Sequence, residues 1–150
     1  MAYRSPADVP VKRGPELALV VNRRGRIVGY TIGNDVTERD MQQSDGQWTR
    51  AKGFDSFCPL GPWIETELDT SDLKVTTHLN GDLVQDGTTK DMVFDVPTLV
   101  SYVSSVMTLL PGDVILTGTP EGVGPMNPGD EVDVTISGIG TLTNKVVSRD

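Results

Sequence analysis

Leu17, Leu19 and Val21 alternate with Glu16, Ala18 and Val20, and after Asn22-Arg23-Arg24-Gly25 a second run from Ile27 to Ile32 is rich in β-formers. Two such runs around a short polar turn predict a hairpin, with Glu16 roughly opposite Ile32. The pattern returns at 74–79 and 83–85, which flank Asn80-Gly81, a pair that tolerates the positive φ of a type I′ turn. Asp86-Gly87 is expected to end that pairing. One helix is predicted from about Pro97 to Leu109: Asp95 suits the N-cap, Pro97 the first turn, and Leu99, Val100, Val103, Val106 and Met107 form a helical stripe. Pro111-Gly112-Asp113 stops it. A strand at 114–116, a glycine-rich loop (TGTPEGVGP, Thr117 to Pro125), a turn at 127–130 and a closing hairpin of 131–136 with 141–147 complete the pattern. Strands dominate.

Composition narrows the class. The 16 glycines and 10 prolines are spread as punctuation between short apolar runs, as in a turn-rich β protein. At 150 residues one domain is expected, able to bury roughly 68–70% of its unfolded surface. Residues 1–14 are polar and carry two prolines, and read as an extended arm or a frayed end before a domain at 15–150. A net charge of −8 does not supply the basic face that phosphate contacts need, so nucleic acid is not an expected partner. Cys58 is alone, which excludes an intrachain disulfide and a Cys-based zinc site and makes the cytoplasm the expected compartment. No apolar run approaches a membrane span, and the first residues lack the apolar segment of a signal peptide.

Several groups have the chemistry for a site. The first hairpin sends Glu16 and, about three residues beyond the pairing, Asp35 out at one end of a sheet. Two carboxylates held together repel, and a cation that takes oxygen ligands and water, such as Mg²⁺, Mn²⁺ or Ca²⁺, would relieve them. The alternative is a surface glutamate starting a strand and an aspartate capping a turn. Residues 36–54 offer Arg39, Gln42 and Lys52, the cations and amide that an acidic substrate needs, or else form an irregular surface loop with a short helix near Thr37 to Gln43. The glycine-rich loop ends in no Gly-Lys-Ser/Thr and opens no helix, so nucleotide binding is not expected. Its backbone N–H groups beside the Thr117 and Thr119 hydroxyls would cradle a carboxylate or enolate oxygen, or only make tight turns. The Arg23, Arg24, Arg26 cluster reads as a solvated turn, and His78 as a structural residue on the polar face of its hairpin. Cys58 is expected to be a buried, inert thiol, and Trp48 and Trp63 to pack.

The segments PELALVV (15–21), GYTIGNDVTERDMQ (29–42), QWTRAKGFDSFCPLGPWI (47–64), HLNGDLVQDG (78–87) and LLPGDVILTGTPEGVGP (109–125) occur in the order found in the carboxy-terminal catalytic domain of the fumarylacetoacetate hydrolase family, which the chain resembles from about residue 15 to its end. The resemblance implies a mainly β (α+β) mixed β-sandwich roll with one main helix, usually dimeric. It also implies a Mg²⁺-type ion held by a Glu-x-Glu and a following Asp, and chemistry on small 2-oxo or 2,4-dioxo acids through enol or enolate species bound to that ion. Carried over residue by residue, Glu16 and Asp35 resemble metal ligands and Lys52 the lysine that steadies the oxyanion. Arg39 and Gln42 resemble the active-site arginine and glutamine, and Gly118 and Thr119 the loop beside the substrate carboxylate.

Two departures bear on activity. Gly14 stands where the family has its first Glu, so one of three carboxylate ligands is missing. Hydrolytic members carry a His and Glu dyad on a lid amino-terminal to this region, which neither Asp8 nor His78 matches. The expected function is therefore a divalent-metal-dependent enzyme of 2-oxo or 2,4-dioxo acids, performing carbon–carbon bond hydrolysis, decarboxylation or isomerisation in aromatic-compound breakdown, with water activation the step most in doubt. The alternatives are a catalytically silent dimeric scaffold or weak ligand binder, and a sugar-acid dehydratase of the same family.

Overall fold

The structure, a computed structural model, describes residues 3–5, 11–22 and 26–148. Its strands are β1 (Tyr3–Ser5), β2 (Val11–Lys12), β3 (Pro15–Val21), β4 (Ile27–Asn34), β5 (Thr37–Glu38) and β6 (Leu60–Glu65), followed by β7 (Lys74–Leu79), β8 (Asp82–Thr88), β9 (Val114–Leu116), β10 (Pro125–Met126), β11 (Glu131–Ile136) and β12 (Gly140–Ser148). The helices are α1 (Arg39–Ser44), α2 (Thr49–Lys52) and α3 (Val96–Val106), with a 3₁₀ turn at Thr89–Asp91. A five-stranded sheet in the order β1-β12-β11-β7-β8 faces a four-stranded sheet in the order β6-β4-β3-β9, and a small sheet β10-β2-β5 closes one end. The pairing of β1 with β12 is parallel and the other pairings are antiparallel, giving the mixed, mainly β architecture expected.

The first hairpin forms, one residue out of the expected register. Leu17, not Glu16, lies opposite Ile32; Glu16 faces Gly33, and the ladder runs on to Pro15 and Asn34. Asp35 is thus the first residue past the pairing rather than about three beyond it. A register shift between Val20 and Val21, where the strands leave the turn, accounts for the offset. All seven residues of β3 are buried because it lies between β4 and β9, and the alternation there does not separate a wet face from a dry one. Arg23 and Arg24 fall outside the described residues, and Arg26 is exposed.

Asn80 and Gly81 have φ of 54° and 89°, as the I′ turn requires. The β7–β8 pairing does not stop at Asp86-Gly87 but reaches Lys74 opposite Thr88, across a register shift between Thr77 and His78. Gly87 stays in the strand because Pro120 of the glycine-rich loop lies against it: a Cβ there would be 2.7 Å from Pro120 Cβ. In β11, Val132, Val134 and Ile136 point inward and their neighbours do not. They meet Leu17, Ile32, Val75, Leu142 and Val146 in the core between the sheets.

The single main helix begins as predicted, with Asp95 Oδ1 accepting from Thr98 N at 2.9 Å. It ends at Val106, short of Leu109, because Met107 is already extended. Its stripe is covered only in its first part: Val100 packs against the core cluster and Leu99 and Val103 are half-buried, while Val106 and Met107 are exposed, as is Tyr102 on another part of the helix. Residues assigned to an arm are partly in sheets: β1 extends the large sheet, and Val11 is buried in the small one. Ile136, the last residue of β11, is fully buried in the core. Ile136→Ala is expected to cost about 2–5 kcal/mol, read as a lower urea midpoint at unchanged slope.

Candidate active site

Glu16 is a carboxylate inside a central strand, and only 6% of it is exposed. Its Oε2 accepts from the backbone N–H of Gly118 at 2.5 Å, which ties β3 to the glycine-rich loop. Burial pushes its pKa up to about 7, with the charge of Asp35 adding to the rise, while the Gly118 bond and Lys52 oppose it. Asp35 follows β4 and donates its backbone N–H to Gly14 O at 2.8 Å. Its Oδ2 is ion-paired with Lys52 Nζ, which also donates to Thr37 Oγ1 at 3.2 Å. Lys52 is the last residue of α2, a single turn anchored by the buried Ala51. The structure therefore gathers Glu16, Asp35, Lys52 and Gly118 at the end of the β3–β4 ladder.

Arg39 and Gln42 are on α1, three residues apart and so on one face, where Arg39 Nη1 donates to Gln42 Oε1 at 2.5 Å. α1 packs on α2, which carries Lys52. The N-terminus of α1 is capped by Glu38, a fully buried carboxylate that accepts from Asp40 N at 3.0 Å and Met41 N at 2.5 Å. The half-buried Thr119 adjoins Gly118, and Gly118 and Thr119 line a cleft of ≈ 490 Å³ whose other walls include Leu17, Met92, Phe94 and Leu99.

Position 14 lies directly against Asp35. A Cβ on Gly14 would be 2.9 Å from Asp35 O and 3.5 Å from its Cβ, and Gly14 N donates to the buried Asn34 Oδ1 at 2.8 Å. A side chain there would force the backbone apart. Among the described residues no group of three or more His, Cys, Asp or Glu converges on one point, and the acid pair stands as two carboxylates.

Three expectations are corrected. Trp48 does not pack: it is 57% exposed, with Lys52 Nζ 5.8 Å from its ring centroid, within cation–π range. Trp63, on edge strand β6, packs only in part: its ring lies against Gly140, where a Cβ would be 3.0 Å from it, and the rest of the side chain is exposed. Cys58 is exposed as a residue rather than buried, although protein atoms around its thiol partly shield it from water; that desolvation, then the charges of Asp35 and Glu16, push its pKa up, which keeps the thiol protonated. His78 stays in the β7 ladder, opposite Leu83 and Asp133. Thr37, Glu38 and Gln85 escaped the sequence reading, since their roles depend on contacts that no spacing marks.

The fumarylacetoacetate (FAA) hydrolase C-terminal family matches residues 9–147. The structure superposes with a TM-score of 0.97 on the crystal structure of 5-carboxymethyl-2-hydroxymuconate delta-isomerase from Mycobacterium smegmatis, at 54% identity over 100% of this chain and 64% of that one. Protein Rv2993c of Mycobacterium tuberculosis is 54% identical over 160 residues, covering 97% of this chain and 60% of the relative. Oxaloacetate tautomerase Fahd2a, mitochondrial, of Rattus norvegicus is 40% identical over 153 residues, covering 88% and 49% respectively. The chain thus spans about half to two thirds of the length of these proteins.

The buried Glu16 couples stability to pH. Its folded pKa of about 7 lies above the ordinary 4.5, so its contribution is fully present below pH 4.5 and is lost as pH rises through 7. In metal-chelated buffer, Glu16→Gln is expected to remove a loss on the order of 3 kcal/mol between those limits. Urea unfolding of both proteins at several pH values checks this; parallel stability curves would contradict it.

Proposed function

The chain belongs to the fumarylacetoacetate hydrolase family, and from that we propose that it is a divalent-metal-dependent enzyme that shifts small 2-oxo acids between keto and enol forms. The observation that carries this reading is the grouping of Lys52, Asp35 and Glu16 against the glycine-rich loop, where the Gly118 N–H binds Glu16 and Thr119 is the next residue. Relatives with isomerase and tautomerase names support it at the level of chemistry.

In this reading Glu16 and Asp35 would hold Mg²⁺ or Mn²⁺. The donor set suits it: two adjacent carboxylates, one of them so deeply buried that its charge needs compensation, and no soft ligand required. Mg²⁺ is commonly held by one or two carboxylates with water completing its shell, which fits a site lacking a side chain at Gly14. When bound, the ion would supply positive charge that favours the ionised form of Glu16 and would draw electron density from oxygen atoms of the acid.

The chain's own groups do the rest. Lys52, held between Asp35 and Thr37, donates a hydrogen bond to the carbonyl oxygen of the acid as negative charge gathers there, while the proton on the carbon beside that carbonyl passes to solvent water and, in the reverse direction, returns from it. Arg39, oriented by Gln42, and the Thr119 hydroxyl with its neighbour Gly118 orient the carboxylate groups of the acid. Enolisation needs no activated water, so it does not call on the His and Glu pair of hydrolytic members. We further propose a homodimer, supported by the exposed Tyr102, Val106 and Met107 of α3. The cytoplasm remains the expected compartment, supported by the single cysteine.

A second reading, a silent ligand binder, is favoured by Gly14, and metal and catalysis separate the two. Mg²⁺ or Mn²⁺ at about 100 times its Kd should raise Tm by about 5–10 °C, and oxalate should raise it further, with both effects lost in Asp35→Asn. The wild type should speed loss of the enol absorbance of oxaloacetate at saturating metal, and Lys52→Met should slow this by about 10²-fold or more. A metal-dependent Tm without turnover supports the silent binder; neither effect overturns both readings.

A further inference from the structure

The glycine-rich loop is gripped from beneath by two buried side chains. Arg13, 4% exposed, donates through Nη2 to Gly122 O at 3.0 Å and through Nη1 to Pro125 O at 3.3 Å. Gln85, in β8 and 2% exposed, donates through Nε2 to Pro120 O at 2.9 Å and to Thr119 Oγ1 at 3.2 Å. Strand and loop are in close contact here: a Cβ on Gly122 would lie 2.6 Å from Val84 O and 3.0 Å from Gln85 Cγ.

The direction of the Gln85 amide has one solution. The Pro120 carbonyl can only accept, so the amide nitrogen must face it, and the same nitrogen then faces Thr119 Oγ1. Gln85 Oε1 is left buried without a partner, yet reversing the amide would set that oxygen against the Pro120 carbonyl. Thr119 Oγ1 is consequently the acceptor in this pair. Its own proton points away from Gln85 and is free for another acceptor, at a half-buried position beside the exposed Gly118 on the wall of the cleft.

We infer that Gln85 is a positioning residue, which by donating to Thr119 Oγ1 turns the Thr119 hydroxyl proton toward a carboxylate bound at the glycine-rich loop. This rests on the proposed role of Thr119 as a contact for the acid. Gln85 acts through that hydroxyl, and its contribution vanishes where the hydroxyl is absent.

The test is the Kd of oxalate for the Mg²⁺-saturated protein, by isothermal titration calorimetry. Thr119→Val and Gln85→Met are each expected to weaken binding about tenfold. The double variant should be no weaker than Thr119→Val, and Thr119→Ser should bind like the wild type while staying sensitive to Gln85→Met. If Thr119→Val weakens binding and Gln85→Met does not, or if the two losses simply add, the inference fails while the role of Thr119 stands. If Thr119→Val, or the lack of any oxalate binding by the wild type, shows that Thr119 holds no acid, both fall. Should Gln85→Met not fold, Gln85→Glu keeps the shape and reverses the bond. As a carboxylate it accepts the Thr119 proton and weakens oxalate at neutral pH, and on protonation at lower pH binding recovers relative to the wild type. A pH profile parallel to that of the wild type would overturn the inference.

Discussion

A carboxylate buried at the start of a central strand has to be compensated, and Glu16 is compensated from several directions at once. The Gly118 N–H donates to it, Lys52 lies close enough to oppose the rise of its pKa, and Asp35 pushes the other way. Such a group is costly without partners, and the partners come from distant parts of the chain: Gly118 is 102 residues away in sequence. The bond to Gly118 therefore fixes the glycine-rich loop against the first hairpin. The loop's place, and with it that of Thr119, follows from the need to satisfy one buried oxygen.

The two sheets make this possible by what they cover. β3 is flanked by β4 and β9 and faced by the large sheet, so polar side chains at its end find protein rather than water. Asn34 answers Gly14 N, Thr37 answers Lys52, and Glu38 answers the first N–H groups of α1. These buried polar groups are clustered at the end of the hairpin rather than scattered through the core. The apolar core runs between the sheets from Leu17, Leu19 and Ile32 to Val132, Val134 and Ile136, and the polar groups sit at the margin of it.

Gly14 alters the balance of that polar end. With no side chain there, the backbone of residue 14 approaches Asp35 directly, and the aspartate is ion-paired with Lys52. In the proposed function, a site of two carboxylates and a lysine would hold less negative charge than one of three carboxylates, which favours weaker cation binding and leaves the lysine more of the developing charge.

Much of this was legible in the chain itself. Asn80-Gly81 specified its turn, because positive φ at two successive residues is a local steric demand, and Asp95 specified its helix start through a hydrogen bond three residues long. Motif order pointed to the family, and the segments flanking Glu16, Asp35 and Lys52 marked them as candidates. The one-residue register of the first hairpin, the burial of both faces of β3, the exposure of Trp48 and of the last residues of the α3 stripe, and the grip of Gln85 on Thr119 were not legible. Each depends on which distant surface lies opposite, and periodicity along a strand or helix reports only that one face differs from another. The sequence by itself determined the local turns, caps and strand propensities; the tertiary structure decided which polar atoms were shut away from water, and hence which residues had to find one another.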